Sequence, residues 1–326
     1  MNIKQAILNA FREHPDQFIS GEELSRNCGC SRTAVWKHIE ELREEGYQFE
    51  AVRKSGYRLL NVPDSISAEQ ILSGLTTKKI GRHIYAYDTV ETTQRLAHEA
   101  AAQGAEEGTI IIADQQNGGK GRMGRPWHSP KGAGIFMSLI IRPDMPLANA
   151  PQLTLLTAVA MSKAIEMVVP SVKVQIKWPN DLFVHGKKIC GILTELNAEE
   201  NRVNYLVIGT GVNVNHLLSD FPESLHSIAT SLRIESGSSI QRAELVQAYC
   251  RSFERELAFY LENGFARIRE EWEANSYTLG RVVKVYNQQN EIEGRAVGLG
   301  LDGALLVEDA EGYQHQVYSA DLDYRA

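Results

Sequence analysis

The first 62 residues carry a succession of helix and turn signals that few folds can accommodate. Ile3, Ile7, Leu8 and Phe11 recur at helical spacing, and Pro15 ends that helix. Ser20 and Glu23 form the S-x-x-E of a capping box, which opens a second, short helix through Leu24 to about Asn27. Gly29 makes a turn. Ser31 caps a third helix that runs to Gly46 and places Val35, Ile39 and Leu42 on one face. Residues 47–52 and 57–60 read as strands joined by a turn at Lys54, Ser55 and Gly56. Helix, short helix, turn, helix and hairpin in this order make a winged helix-turn-helix.

That arrangement lays the N-terminal half of the third helix in a DNA major groove. Ser31, Arg32, Thr33, Trp36, Lys37 and His38 lie on this half, and the hairpin adds Arg53, Lys54 and Arg58. Of these, Ser31, Arg32, Thr33, Lys37, Arg53 and Lys54 are the candidate DNA contacts. Trp36 fits either the core or the groove. Glu40, Glu41, Glu44 and Glu45 gather at the far end of the helix, so a segment with nine basic and nine acidic residues still presents one basic face. The rest of the chain holds 25 basic and 32 acidic residues and carries the whole net charge of −7, which argues against non-specific nucleic-acid binding by the body of the protein. A winged helix used for protein contacts is the alternative.

A short Pro-containing joint, residues 61–65, follows. Between 64 and 275, strand-like runs at 109–113, 134–141, 172–178, 189–196 and 205–209 mix with helix-like runs at 93–102, 150–169 and 242–262. This is an α+β region with a mixed or antiparallel sheet. Residues 276–326 hold short strands at 282–286, 293–298, 304–308 and 315–319, parted by turns at 287–290, 301–303 and 310–312, the pattern of a small β-barrel. No run approaches the roughly 18 apolar residues of a membrane span, and the N-terminus lacks a signal-peptide pattern. Cys28, Cys30, Cys190 and Cys250 are scattered without zinc spacing and fit thiols in a reducing cytosol.

Four clusters in the central region bear chemistry. Residues 118–127 contain four glycines, Lys120, Arg122, Arg125 and Trp127, and no acid lies between Asp114 and Asp144. Such a loop brings backbone N–H groups and fixed charge to an anion, yet it lacks the G-x-x-x-x-G-K-[ST] order of a P-loop. In Lys177-Trp178-Pro179-Asn180-Asp181 the proline forces a turn that leaves Asn180 and Asp181 at a sheet edge; a turn with a local Asx hydrogen bond is the plain alternative. Lys188 enters an apolar strand beside Gly191, with Lys187 pointing away, unless both are solvated. Gly209-Thr210-Gly211-Val212-Asn213 ends a strand where a ligand can approach the backbone closely.

Together, in this order, the four motifs closely resemble those of the biotin–protein ligases. The winged helix in front and the small barrel behind resemble the bifunctional members that also repress biotin-synthesis genes. The resemblance implies three domains: a winged helix at 1–63, a class II synthetase-like mixed-sheet catalytic domain at 64–275, and an SH3-like barrel at 276–326. It implies activation of biotin by ATP with Mg²⁺, and transfer to a lysine of biotin carboxyl carrier domains, of acetyl-CoA carboxylase and, as a second candidate, pyruvate carboxylase. By the same resemblance Thr92, Thr93, Gln116, Gly119, Lys120, Arg122, Trp127, Lys188 and Gly191 bind biotin. Arg122, Arg125, Asn180 and Asn213 bind the nucleotide, and Lys188, Arg122 and Asp181 are catalytic, Asp181 toward either Mg²⁺ or the incoming amine. No protein-held metal site is implied.

An adenylate-bound homodimer on operator DNA in the cytoplasm completes the scheme. Thr92 stands where the family often has serine, and Lys120 and Met123 where it often has arginine, so the bidentate fork is lost at one position and a charge at the other. A lipoate–protein ligase, a biotin sensor without turnover and a ligase with a degenerate winged helix are the rivals. The 118–127 loop and the winged helix speak against the first, retention of Arg122, Lys188 and Asp181 against the second, and Arg32, Lys37 and Arg53 against the third.

Replacing Arg32 and Lys37 together by alanine is expected to weaken operator binding in a mobility-shift assay and leave the rate of ligation unchanged. An equal loss of ligation would overturn the division into domains.

Overall fold

Three serines, Ser20, Ser31 and Ser67, each cap a helix near the start of the chain. The computed structural model describes residues 3–200, 202–286, 291–318 and 320–324. Helices α1 (Ile3–Glu13), α2 (Gly21–Cys28) and α3 (Arg32–Glu44) precede the antiparallel hairpin β1 (Gln48–Val52) and β2 (Gly56–Asn61). The hydroxyl of Ser20 accepts the N–H of Glu23, and that of Ser31 the N–H of Ala34, each at 3.1 Å. Gly29 closes α2 at φ 62°. Ile7, Leu8, Phe11, Leu24, Val35, Ile39, Leu42 and Phe49 form a core of their own. Trp36 is outside it, 55% exposed, which settles its two readings against the core.

The joint is held firmly. Helix α4 (Ala68–Ser73), capped by Ser67, packs against α1. Arg12 lies directly over Gly74, where a Cβ would stand 1.9 Å from Nη1, and beside Gln247. In the chain of the joint itself, Asp64 accepts Nε of Arg242 at 2.8 Å, the backbone N–H of Arg242 at 2.9 Å and the amide of Asn215 at 2.8 Å. Arg242 is 2% exposed. Its Nη1 donates onward to Asp114 at 2.6 Å and to the carbonyl of Gly134 at 3.0 Å.

The central sheet has seven strands: β3 (Ile84–Val90), β4 (Ile110–Gln116), β5 (Gly134–Ile141), β6 (Gln175–Lys177), β7 (Asp181–Val184), β8 (Lys187–Glu199) and β9 (Arg202–Asn213). Their order is β3-β4-β5-β9-β8-β7-β6, with β3 and β4 parallel and every other pair antiparallel, so the sheet is mixed. β5 is buried from end to end, as its nearly unbroken apolar run requires. Strand alternation sends Ile111, Ile140 and Val207 to one face, under α5 (Thr93–Ala102). Ile110, Ile112, Leu139 and Ile208 face the other way, toward a core shared with α6 (Ala150–Val168), α8 (Arg242–Asn263) and α9 (Ala266–Ala274). A short α7 (Leu232–Ser236) follows β9 and precedes α8 in the chain. The expected strand at 172–178 shrinks to the three residues of β6, and β3, β7, α4, α7 and α9 were not expected.

The C-terminal strands β10 (Val282–Tyr286), β11 (Glu291–Leu299), β12 (Leu305–Glu308), β13 (Gln314–Val317) and β14 (Asp321–Tyr324) form an antiparallel sheet in the order β13-β12-β11-β10-β14. The expected turn at 287–290 and Ser319 lie outside the described residues. Val283, Val285, Ala296, Leu305 and Val307 belong to the same apolar core as α6 and α8. Trp178 donates its backbone N–H to the Thr278 hydroxyl at 3.0 Å, and Gln152 its amide to the Leu301 carbonyl at 2.9 Å. Among the described residues no helix is long and apolar enough to cross a membrane. All four cysteines are free.

Removing the cation of Arg242 would leave two carboxylates without their buried partner. Arg242→Leu is therefore expected to lower stability by roughly 3 kcal/mol, the lower end of what breaking a buried ion pair costs, read as a shift in the urea-unfolding midpoint. An unchanged midpoint would show that the clamp is dispensable.

Candidate active site

The strand ends of the central sheet and the loops around them enclose a cavity of about 470 Å³. Its floor is strands β8 and β9 at Gly191, Ile192, Gly209 and Gly211. The N-terminus of α5, the 118–127 loop, the turn between β6 and β7, and the segment around Phe221–Ala229 form the walls, and Ala320, Leu322 and Asp323 close one side. The four clusters of the sequence thus meet in one place. Thr92, Thr93, Gln116, Lys120, Arg122, Arg125, Trp127, Asn180, Asp181, Lys188, Gly191 and Asn213 all line it. Gly119 stands behind the wall instead. Its carbonyl accepts the Trp127 N–H at 2.9 Å, and a Cβ there would reach within 2.9 Å of Gln116 and Ser129.

The 118–127 loop is a folded turn. Gly121 N–H donates to the Arg125 carbonyl at 2.8 Å, and Lys120 bridges to Pro126. Met123 sits at its tip, 78% exposed, at φ 56° in the left-handed region. Trp127 then returns into the cavity and lies flat on the sheet. A Cβ on Gly211 would stand 2.5 Å from its Nε1, and one on Gly191 3.1 Å from its ring. The two glycines are what let the indole reach the floor.

Five cations, Lys120, Arg122, Arg125, Lys177 and Lys188, line the cavity against two carboxylates, Asp181 and Asp323. In a protein of net charge −7 this is a local reversal of sign. Lys188 pairs with Asp181 at 2.7 Å and lies 5.2 Å over the Trp127 ring, so the solvated reading of this lysine is excluded. Lys187 points away, as strand alternation expects, and donates to the His226 carbonyl. Arg122 donates to Asn180 Oδ1 at 3.3 Å, while the buried Asn180 amide donates to the Ile192 carbonyl at 2.6 Å. Asn213 donates to the Thr230 carbonyl at 3.0 Å. Among the described residues no three His, Cys, Asp or Glu side chains converge as a metal-binding group.

The far end of the cavity is polar and uncharged. Thr92 caps α5, its hydroxyl accepting the Gln94 N–H at 3.1 Å. Thr93 and Gln116 meet through the Thr93 N–H and the Gln116 carbonyl oxygen at 2.9 Å. Sequence reasoning missed Gln94 and Ser138 in this corner, although a lone serine inside the apolar β5 was a visible signal. It also missed Phe221, which lies in an irregular segment where no periodicity marks it. Behind Phe221, His216 is fully buried, stacks on its ring at 4.9 Å and 13°, and has no hydrogen-bonding partner for either ring nitrogen among the described residues.

On the winged helix, Arg32, Thr33 and Lys37 are exposed along α3, and Arg53 and Lys54 are exposed at the hairpin tip. The Ser31 hydroxyl accepts its capping bond and keeps its own proton to donate. Arg58 pairs with Glu50 and lies 4.8 Å over the Phe18 ring, and His38 pairs with Glu41, so these two belong to the fold more than to the basic face.

Comparison with known proteins gives three family matches along the chain. A helix-turn-helix domain matches residues 4–58, the biotin/lipoate A/B protein ligase family residues 86–213, and the biotin protein ligase C-terminal domain residues 278–323. The bifunctional ligase/repressor BirA of Bacillus spizizenii is 46% identical over 98% of both chains. That of Escherichia coli is 31% identical over 90% of this chain and 88% of its own. The biotin protein ligase from Aquifex aeolicus in complex with biotin and ATP superposes with a TM-score of 0.65 at 28% identity, covering 75% of this chain and 99% of its own.

Burial, reinforced by the nearby His128, pushes the His216 pKa from 6.5 down to about 4. A base whose folded pKa is depressed stabilises the fold fully above its unfolded value, and that stability is lost progressively as pH falls from 6.5 toward 4. The urea midpoint is expected to fall between pH 7 and pH 5, and His216→Phe to remove that part of the slope. An NMR titration of His216 with a midpoint near 6.5 would refute the assignment.

Proposed function

Because this chain belongs to the biotin–protein ligases, in the form that carries an N-terminal helix-turn-helix, we propose how its own residues perform the reaction and the switch. It is a biotin–[acetyl-CoA-carboxylase] ligase and repressor. It activates biotin with ATP as biotinyl-5′-AMP, passes biotin to a lysine of a carrier protein, and represses transcription through its helix-turn-helix.

The observation that carries the site assignment is the two-ended cavity. Biotin has a neutral ureido ring, an apolar arm and a carboxylate. The uncharged corner of Thr93 and Gln116 suits the ring, and the floor under Trp127 suits the arm. The cluster of Lys120, Arg122, Arg125 and Lys188 then receives the carboxylate beside the phosphates of ATP. Two anions that must approach each other need this charge, and it acts most strongly on the pentavalent transition state. A carboxylate oxygen attacks the α-phosphorus and pyrophosphate leaves. The carrier amine then attacks the acyl carbon, loses its proton, and AMP departs.

Asp181 holds Lys188 in place by their ion pair. Asn180 and Asn213 face the nucleotide, and Phe221 provides a flat apolar surface. Asp181 and Asp323 are the carboxylates of the cavity wall that would hold Mg²⁺, which would supply positive charge to the ATP phosphates. The carriers are the biotin domains of acetyl-CoA carboxylase and, second, pyruvate carboxylase. The reaction runs in the cytoplasm, where ATP, carriers and operator meet.

The repressing form is a homodimer, whose two winged helices match two half-sites of an operator. β7 pairs with β8 only as far as Gly191, so among the described residues no strand pairs with the outer edge of β8 from Leu193 onward. Ile192 and Leu193 of the same strand line the cavity. An edge that is also a ligand wall couples adenylate binding to strand pairing. The domain division at 63/64 and 275/276 goes with this scheme.

Pyrophosphate–ATP exchange is expected with biotin and not with lipoate or without acid. Arg122→Ala and Lys188→Ala are each expected to reduce exchange by roughly 10²–10³, the scale for removing one charge-stabilising donor. Exchange with lipoate would reassign the substrate. Biotin binding without exchange would identify a sensor and remove Arg122 and Lys188 from the chemistry.

A further inference from the structure

We infer that Gln94 and Ser138 are positioning residues that hold the Thr93 hydroxyl as a hydrogen-bond acceptor toward the cavity, and so select a ligand ring that carries N–H donors. The inference rests on the assignment of the Thr93 corner to the biotin ring and extends it to two residues outside that contact.

The direction of the bonds follows from groups that have no choice. One end of the Gln94 carboxamide faces the carbonyls of Leu193 and Val207, at 3.4 and 3.1 Å. Carbonyls accept only, so the amide nitrogen must be at that end. Its oxygen therefore faces Ser138, whose hydroxyl donates to it at 2.9 Å. Ser138 is fully buried and has spent its single proton. The Thr93 hydroxyl stands 2.9 Å from the Ser138 oxygen and 3.2 Å from the Gln116 carboxamide oxygen. The second of these is itself fixed as an acceptor, because the Thr93 backbone N–H points at it. Both neighbours of the Thr93 hydroxyl accept, so its one proton is committed to the protein. What remains toward the cavity is lone pairs.

A cyclic urea offers N–H groups to such a corner; a dithiolane ring offers none. The corner discriminates by leaving a buried acceptor unsatisfied with the wrong ring. Gly209 completes the device. A Cβ there would stand 2.4 Å from the Gln94 oxygen, so the first glycine of the strand-end motif makes room for the carboxamide that starts the relay.

The test is a double-mutant cycle on biotin affinity, measured by titration calorimetry with biotin and with desthiobiotin, which keeps the ureido ring and lacks the thioether ring. Thr93→Val is expected to weaken both ligands by about tenfold, the share of one ordinary hydrogen bond. Ser138→Ala is expected to weaken both by a similar factor and to leave the KM for ATP unchanged. The double variant is expected to be no weaker than Thr93→Val alone, because the two act through one bond. Gln94→Leu, which breaks the relay at its start, is expected to behave as Ser138→Ala. Additive losses, or full affinity in Ser138→Ala, would overturn the relay and leave the ring assignment standing. Full affinity in Thr93→Val would overturn the ring assignment itself.

Discussion

One guanidinium holds the two halves of this protein's logic together. Arg242, the first residue of α8, is buried between Asp64 of the joint, Asp114 of β4 and the carbonyl of Gly134 at the start of β5. A lysine could not replace it, because a single ammonium cannot reach three groups in different directions from one planar fork. Asn215 adds a fourth tie from the end of β9 to Asp64. The strands so pinned are those whose ends carry Gln116 and Asn213. The chain leaving the winged helix is therefore anchored to the same elements that frame the cavity.

The chemistry of the cavity depends on separating two kinds of polarity. Charge is concentrated on the 118–127 loop and at Lys188, while the corner under α5 is neutral and saturated with directional hydrogen bonds. The floor between them is stripped of side chains at Gly191 and Gly211, which admits the Trp127 indole. Burying cations costs less here than in a sealed core, since Asp181 offsets Lys188 and the cavity is open to ligand phosphates.

Much of this was legible in the chain. The capping serines, Gly29 and the apolar spacing of α1 and α3 specify the winged helix through local signals, and the structure repeats them nearly residue for residue. β5, α5, α6 and α8 were equally plain because burial on both faces or on one helical stripe writes an unambiguous period. β3 was not, because an edge strand with Tyr85 and Tyr87 exposed carries little apolar alternation. α4 and β7 are too short to establish a period. The four motifs could be picked out one by one and the structure brings them to one cavity, whereas Arg242 and Asp64, 178 residues apart, carry no mutual signal in a single sequence.

The apolar cores divide the chain unevenly. The winged helix has a core to itself, while the C-terminal strands share theirs with α6 and α8 and supply Ala320 and Leu322 to the cavity wall. A unit with a private core can be acquired or shed by recombination without unfolding what remains. A unit that borrows its core cannot. The ligase body and its C-terminal sheet are thus a single heritable piece, and the DNA-reading segment is a fitting that lineages can add to it or leave off.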